Sequence, residues 1–187
     1  MFFVQSCAVC NAETESGVFC SACRRSELLI EAMPGLLNLD GAVMGYKYSG
    51  ALKDMLHKLK FEGESKFLQP LAEEAVFLAQ AYGESSFDMV VSVPTDAARR
   101  KQRGFDIPES IFAGALAVKG VWQPQVLTRI KATAPQYGLA PDKRRSNVRG
   151  CFKVQRDVRG AKILLVDDIL NRRNAERSGK NLKAGRR

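Results

Sequence analysis

Histidine is nearly missing from this chain: His57 is the single one in 187 residues. A catalytic metal centre built on several histidines is therefore excluded. His57 follows Leu52, Met55 and Leu56 in a helical pattern with Lys53, Lys58 and Lys60, and it reads as a solvated or rim residue. Tryptophan is represented by Trp122 alone. Long apolar runs are lacking as well. Ile163-Leu164-Leu165-Val166 is the most aliphatic stretch and is far too short to cross a bilayer. The opening Met1-Phe2-Phe3-Val4-Gln5-Ser6 has no basic n-region, so no signal peptide is expected and the protein is read as cytoplasmic. Cysteine almost vanishes after residue 23. Cys151, beside Phe152, reads as a small core residue.

Apolar residues make up 45% of the chain, enough to bury a core and to exclude wholesale disorder. The net charge is +9. Residues 171–187 carry five Arg, two Lys and one Glu, which leaves only +3 for residues 1–170. The basic character is concentrated in a short tail, which weakens any argument from charge alone to nucleic-acid binding.

Four of the five cysteines stand in Cys7-Ala8-Val9-Cys10 and Cys20-Ser21-Ala22-Cys23. The pattern is C-x2-C-x9-C-x2-C. Each C-x-x-C lets two thiolates reach one ion from a tight turn, and two such knuckles complete a tetrahedral site. A cytosolic chain does not keep two disulfides. The spacing predicts a structural Zn2+ bound by Cys7, Cys10, Cys20 and Cys23. The competing readings are a redox dithiol and ordinary buried cysteines. A site with four thiolates is closed to substrate, so the metal would serve folding and not catalysis.

Further along, a linker helix is expected over Glu27 to Met33, ended by Pro34-Gly35. Ala42 to Tyr48 has strand character. Ala51 to Phe61 and Lys66 to Tyr82 read as amphipathic helices. Phe87 to Pro94 reads as a buried strand stopped by proline. Residues 95–106 read as a basic loop, Glu109 to Val118 as a helix, and Val126-Leu127 as a short strand. Residues 129–149 form a polar, basic loop region, and Lys162 to Val166 a strand buried on both faces. The alternation predicts an α/β domain with a mainly parallel sheet. In such sheets ligands bind at the carboxyl ends of strands.

Two strand ends carry chemistry. Val166 is followed by Asp167-Asp168. Adjacent carboxylates at a sheet edge need a cation or hydroxyl donors, and ribose hydroxyls or a hydrated Mg2+ would satisfy them. The alternative is a pair that caps the next helix. Val93-Pro94 is followed by a loop with Arg99, Arg100, Lys101, Arg103 and Gly104, which can clamp a pyrophosphate or simply be solvated. The segment from Arg129 through Lys131 to Arg144 and Arg145 has the composition of a lid over an anionic substrate, or of a surface excursion.

Together these segments resemble the ComF/GntX-type phosphoribosyltransferases, the competence protein F family. The likeness rests on the four cysteines, Leu59-Lys60-Phe61, Val93-Pro94 with Arg99, and Arg103-Gly104-Phe105. It continues in Arg129, Lys131, Thr133 and Gln136, then in Arg144, Asn147, Val148, Gly150 and Phe152, and it ends at the Asp pair. The resemblance implies a type I phosphoribosyltransferase-like fold over residues 36–187, after a zinc-ribbon-like module and linker over 1–35. It implies binding of 5-phosphoribosyl 1-pyrophosphate (PRPP) with Mg2+. Asp167 and Asp168 would hold the ribose hydroxyls, and with Lys131 they are the expected catalytic residues. Arg99, Arg103, Gly104 and Arg144 would face PRPP and its pyrophosphate. The 129–145 segment would close over the site. The phosphoribosyl group would pass to an acceptor that the sequence does not name. Members of the family are tied to DNA uptake, which makes a competence helicase or single-stranded DNA an expected partner. The oligomeric state is left open.

The chain departs from the family at two places. Asp106-Ile107 stands where the family has Asn-Gln. After the Asp pair, Asn171-Arg172-Arg173-Asn174-Ala175-Glu176 replaces the Thr-Thr-Gly-Ala-Thr loop whose amides cradle a 5′-phosphate. Encoded as AAC CGG CGC AAC GCT GAG and read one base later, this stretch gives Thr-Gly-Ala-Thr-Leu. A frame alteration or truncation at the C-terminus is thus one expectation, and genuine divergence the other. Two rival functions follow: a non-enzymatic competence or scaffold factor with a degraded phosphate loop, and a zinc-containing single-stranded nucleic-acid-binding protein.

Overall fold

The computed structural model describes residues 5–14, 17–33, 39–81, 87–116, 121–133, 147 and 149–169. Two short strands, β1 (Gln5–Ser6) and β2 (Glu13–Thr14), pair antiparallel and bracket the first cysteine knuckle. Helix α1 (Ser21–Glu27) begins inside the second knuckle, directly after Cys20, and carries Cys23 in its first turn.

The expected helix over Glu27 to Met33 is not found. Leu28–Met33 is strand β3, paired antiparallel with β4 (Ala42–Tyr46). The run Leu-Leu-Ile-Glu-Ala-Met satisfies either period over so few residues. A partner strand across the Pro-Gly segment decides for the sheet.

Helix α2 (Gly50–His57) continues without a break into a π turn over Lys58–Glu62, ended by Gly63 in the left-handed region at φ 71°. Leu52, Leu56 and Leu59 fall on one face and are buried. Helix α3 (Leu68–Ala81) buries Leu71, Glu74 and Ala75. These residues meet Ile107 and Ile111 of α5 (Ile107–Leu116) in one core. Val18 and Phe19, from the cysteine segment, are buried in that same core.

A second core forms around β5 (Met89–Ser92), which is buried at every position. Met89 and Val91 pack there with Val126, Leu127, Cys151, Phe152 and Val158. Cys151 is fully buried, as its apolar setting predicts. Strand β6 (Leu127–Arg129) pairs antiparallel with β7 (Phe152–Val154). Strand β8 (Ile163–Val166) pairs parallel with β5 in the register Met89↔Ile163 to Ser92↔Val166. A parallel bridge from Val90 to Trp122 lies on the other side of β5. The architecture is mixed α/β with a small parallel sheet. Among the described residues the strands form four separate two-stranded sheets, β5–β8 parallel and the other three antiparallel, so a single mainly parallel sheet is met only in the β5–β8 pair. Of β8 only Val166 is buried and the rest is half-buried, so the expected burial on both faces is not met. Strand β5 has neighbours on both sides, whereas β8 has β5 on one side only among the described residues.

The basic stretch 95–106 is not a loop throughout. Ala97–Arg103 is helix α4. Asp96 caps it, accepting from Ala98 N at 3.1 Å, and Gly104 ends it at φ 84°, its N–H reaching Arg100 O at 2.8 Å. Alanine, arginine, lysine and glutamine between an Asp cap and a Gly stop are all good helix formers.

Candidate functional site: a strand-edge acid pair and an arginine cluster

The parallel pairing of β5 and β8 makes both strands end at one edge, where Val93 N donates to Val166 O at 2.9 Å. Asp167-Asp168 leaves from one strand and the Val93–Asp96 turn from the other. The turn is held by Asp106, a buried carboxylate that accepts from Thr95 N at 3.0 Å and Glu109 N at 3.3 Å. It therefore caps α5 and ties the loop back with the same side chain. Both donors are backbone amides and need only an acceptor, which the carboxylate supplies.

Asp168 is nearly buried, and the cation that meets it is Lys60 of the π turn. The Lys60 ammonium lies 2.8 Å from Oδ2 and 3.1 Å from Oδ1. Burial, then the neighbouring charge of Asp168, pushes the Asp167 carboxyl well above its usual range, with Lys60 acting against the rise. The two aspartates are thus unequal. Asp168 holds an ion pair, while Asp167 accepts the Asp168 N–H at 2.9 Å.

Three arginines lie near this edge, Arg99 within electrostatic reach of the other two, Arg103 acted on by Asp168 and Arg129 by Asp167. Burial disfavours the charged form of Arg103; Asp168 and Asp106 counter this, and nearby Arg99 adds to it. Arg129, at the end of β6, is depressed by burial in the same way, with Asp96 opposing and Arg99 reinforcing. Arg99 Nη2 and Arg103 Nε are buried with no hydrogen-bond partner among the described residues. Buried guanidinium N–H groups without acceptors suit an anion. Lys131 is exposed, and Gly104 is the exposed stop of α4. Arg144 and the segment 170–187 lie outside the described residues. His57 is exposed, its ring 4.6 Å from that of Phe61.

Sequence reasoning named Lys60 only as part of a motif and gave Asp96 no role. The helical period hides Lys60, because its contact with Asp168 spans 108 positions. The cap position of Asp96 before a helix-forming run was the available signal.

The second cluster is the cysteines. The Sγ atoms of Cys7, Cys10, Cys20 and Cys23 all lie within 4.8 Å of one another, with Cys10 and Cys20 at 3.7 Å. A tetrahedral zinc with Zn–S of about 2.3 Å separates its sulfurs by about 3.8 Å, so the donor set fits. Burial opposes ionisation of Cys7, but the amides of Cys20, Cys10 and Val9 outweigh it and lower the thiol to about 6. Cys23, facing Cys10, is pushed up to about 12. Four thiols this close cannot all ionise without a cation.

Glu74 of α3 fastens this segment to the main core. Its carboxylate accepts from Val18 N at 2.9 Å, Phe19 N at 3.2 Å and the Arg24 guanidinium at 2.8–2.9 Å, and from the Tyr46 hydroxyl. A Cβ on Gly17 (φ 77°) would stand 2.3 Å from Glu74 Oε1.

The DNA utilization protein YhgH of Salmonella typhimurium is 30% identical over 128 residues, which are 66% of this chain and 56% of that protein. The protein of the same name from Escherichia coli K12 is 28% identical over 129 residues, with the same shares. The chain is a relative of these DNA utilization proteins. It spans just over half of their length. No protein-family model and no solved structure matches it. Among the described residues no helix is long and apolar enough to cross a membrane.

Proposed function

We propose that the chain is a ComF/GntX-type phosphoribosyltransferase that binds Mg2+–PRPP at the shared edge of β5 and β8 and works in DNA utilization. One observation carries the reading. The acid pair follows β8, and the helix after the adjacent β5 carries Arg99 and Arg103, whose buried N–H groups lack acceptors among the described residues. Of the two, Arg103 is within electrostatic reach of Asp168. This division matches a ligand with hydroxyls at one end and an anion at the other. Asp167 and Asp168 would accept from the ribose hydroxyls. Arg99 and Arg103 would take the pyrophosphate, and Lys131 would act from the segment after β6. Attack at C1 with departure of pyrophosphate needs little covalent help from the protein. Positioning and charge stabilisation supply the catalysis. Bound Mg2+ would add positive charge against the leaving pyrophosphate.

The cysteine cluster is read as a structural zinc site, because its four sulfurs already stand near tetrahedral spacing.

Thermal unfolding with Mg2+–PRPP tests the site. A ligand at one hundred times Kd stabilises by about 2.7 kcal/mol, and Asp167→Asn with Asp168→Asn should remove that gain. No stabilisation at millimolar PRPP would overturn the reading. A second reading, a non-enzymatic DNA utilization factor, is favoured by Asn171-Arg172-Arg173-Asn174 in place of a glycine-containing phosphate loop. It predicts no response to PRPP and salt-steep binding of a single-stranded oligonucleotide.

A further inference from the structure

Asp96 does more than cap a helix. Its Oδ1 accepts from Ala98 N at 3.1 Å, while its Oδ2 faces Thr133 N at 3.4 Å and Arg129 Nε at 3.8 Å. Both side chains are largely withdrawn from solvent, at 7% exposed for Asp96 and 12% for Arg129. Arg129 also donates to the Thr133 hydroxyl, and its guanidinium lies over the Phe152 ring at 5.5 Å. One carboxylate thus joins three pieces of chain: the turn after β5, the end of β6, and the segment that leaves it. The same carboxylate sits at the N-terminus of the helix that carries Arg99 and Arg103. Arg129 is close enough to Arg99 for their charges to oppose each other.

Three cations held together at partial burial, with buried N–H groups that lack acceptors, are stable only if something negative lies among them. Asp96 supplies one negative charge from the side of the β5 turn, and Asp106 and Asp168 act on Arg103. None of them accepts from the buried Arg99 Nη2 or Arg103 Nε among the described residues, and a bound anion would do so.

We propose that Asp96 is a positioning residue that fixes Arg129 beside Arg99 and Arg103, so that Arg129 is the third cation of the pyrophosphate site. The inference rests on reading this edge as that site. It makes an unusual prediction of sign. A carboxylate near an anion site repels the anion, so neutralising it should tighten binding. If Asp96 acts by placing Arg129, neutralising it should instead weaken binding.

The test is calorimetric binding of inorganic pyrophosphate with Mg2+ to the full chain in a double-mutant cycle. Asp96→Asn is expected to weaken binding about tenfold, and less than about twofold in an Arg129→Met background. Loss of the helix cap alone would give the same factor in both backgrounds and overturn the proposal. Tighter binding by Asp96→Asn would overturn it as well. Should Asp96→Asn fail to fold, Arg129→Met carries the test: a loss of about tenfold is expected, and unchanged affinity rejects the proposal. Absence of pyrophosphate binding by the unaltered chain would remove the site reading and the proposal together. That outcome is distinct from binding that ignores Asp96.

Discussion

The ammonium of Lys60 lies 2.8 Å from a carboxylate oxygen of Asp168 and joins the π turn after α2 to the end of β8. The π turn is what aims it there. Widening the helix to i→i+5 spacing shifts the residues of one turn around the axis, and such turns recur at functional sites. The contact locks the first core, which holds Leu59, to the strand edge that carries the acids.

Lys60→Met should therefore destabilise the chain, because it leaves Asp168 buried without its cation. Breaking a fully buried pair costs about 3–5 kcal/mol. Lys60 is 27% exposed, so about 1–3 kcal/mol is expected in urea unfolding. Lys60→Arg should recover most of the loss. Equal stability of Lys60→Met and the parent chain would show that the pair contributes nothing.

Glu74→Ala should cost about 3–5 kcal/mol, since it strands the Val18 and Phe19 amides and the Arg24 guanidinium. Gly17→Ala should destabilise by a related route. Its Cβ would drive into the Glu74 carboxylate, and its φ of 77° is strained for any side chain. Urea midpoints for the two variants decide this, and an unperturbed midpoint in either counts against the Glu74 brace.

The cysteine cluster predicts one equivalent of zinc per chain by elemental analysis. Cys7→Ser with Cys10→Ser should bring that to none and lower Tm, because metal binding and folding are linked. Since Val18 and Phe19 belong to the main core, the loss should appear as a shift of the main unfolding transition. Unchanged metal content in the variant would dismiss the zinc assignment.

Asp96 gives a pH signature. Burial alone would raise its carboxyl. The amides of Thr133, Ala98 and Arg99 and the charge of Arg129 outweigh burial and hold it below 3.8. A depressed folded value contributes stability that is fully present above the unfolded value of about 3.9 and is lost as pH falls through the folded one. The stability gap between the parent chain and Asp96→Asn should thus be constant from neutral pH to about pH 5. It should close in acid below about pH 4. A gap independent of pH down to about pH 2 would exclude the ionised carboxylate as its source.

The sequence by itself determined the cysteine cluster, because two C-x-x-C turns bring their own thiols together and only the meeting of the two knuckles is left to the fold. It determined most helices through apolar periodicity, and the acid pair through its place after an aliphatic run. It misled over Leu28–Met33, where a helix is expected and a strand forms, because six mostly apolar residues satisfy helix and strand alike until Ala42–Tyr46 supplies a partner. It concealed α4, where the arginines suggested a loop although the Asp96 cap and the Gly104 stop were in view. Only the tertiary structure decided which cation meets which acid. Lys60 with Asp168, Asp96 with Arg129, and Glu74 with the Phe19 segment are contacts between groups far apart in the chain. Local pattern carries no term for such contacts. They exist because burial makes an unpaired charge costly, and folding places the one opposite charge within reach.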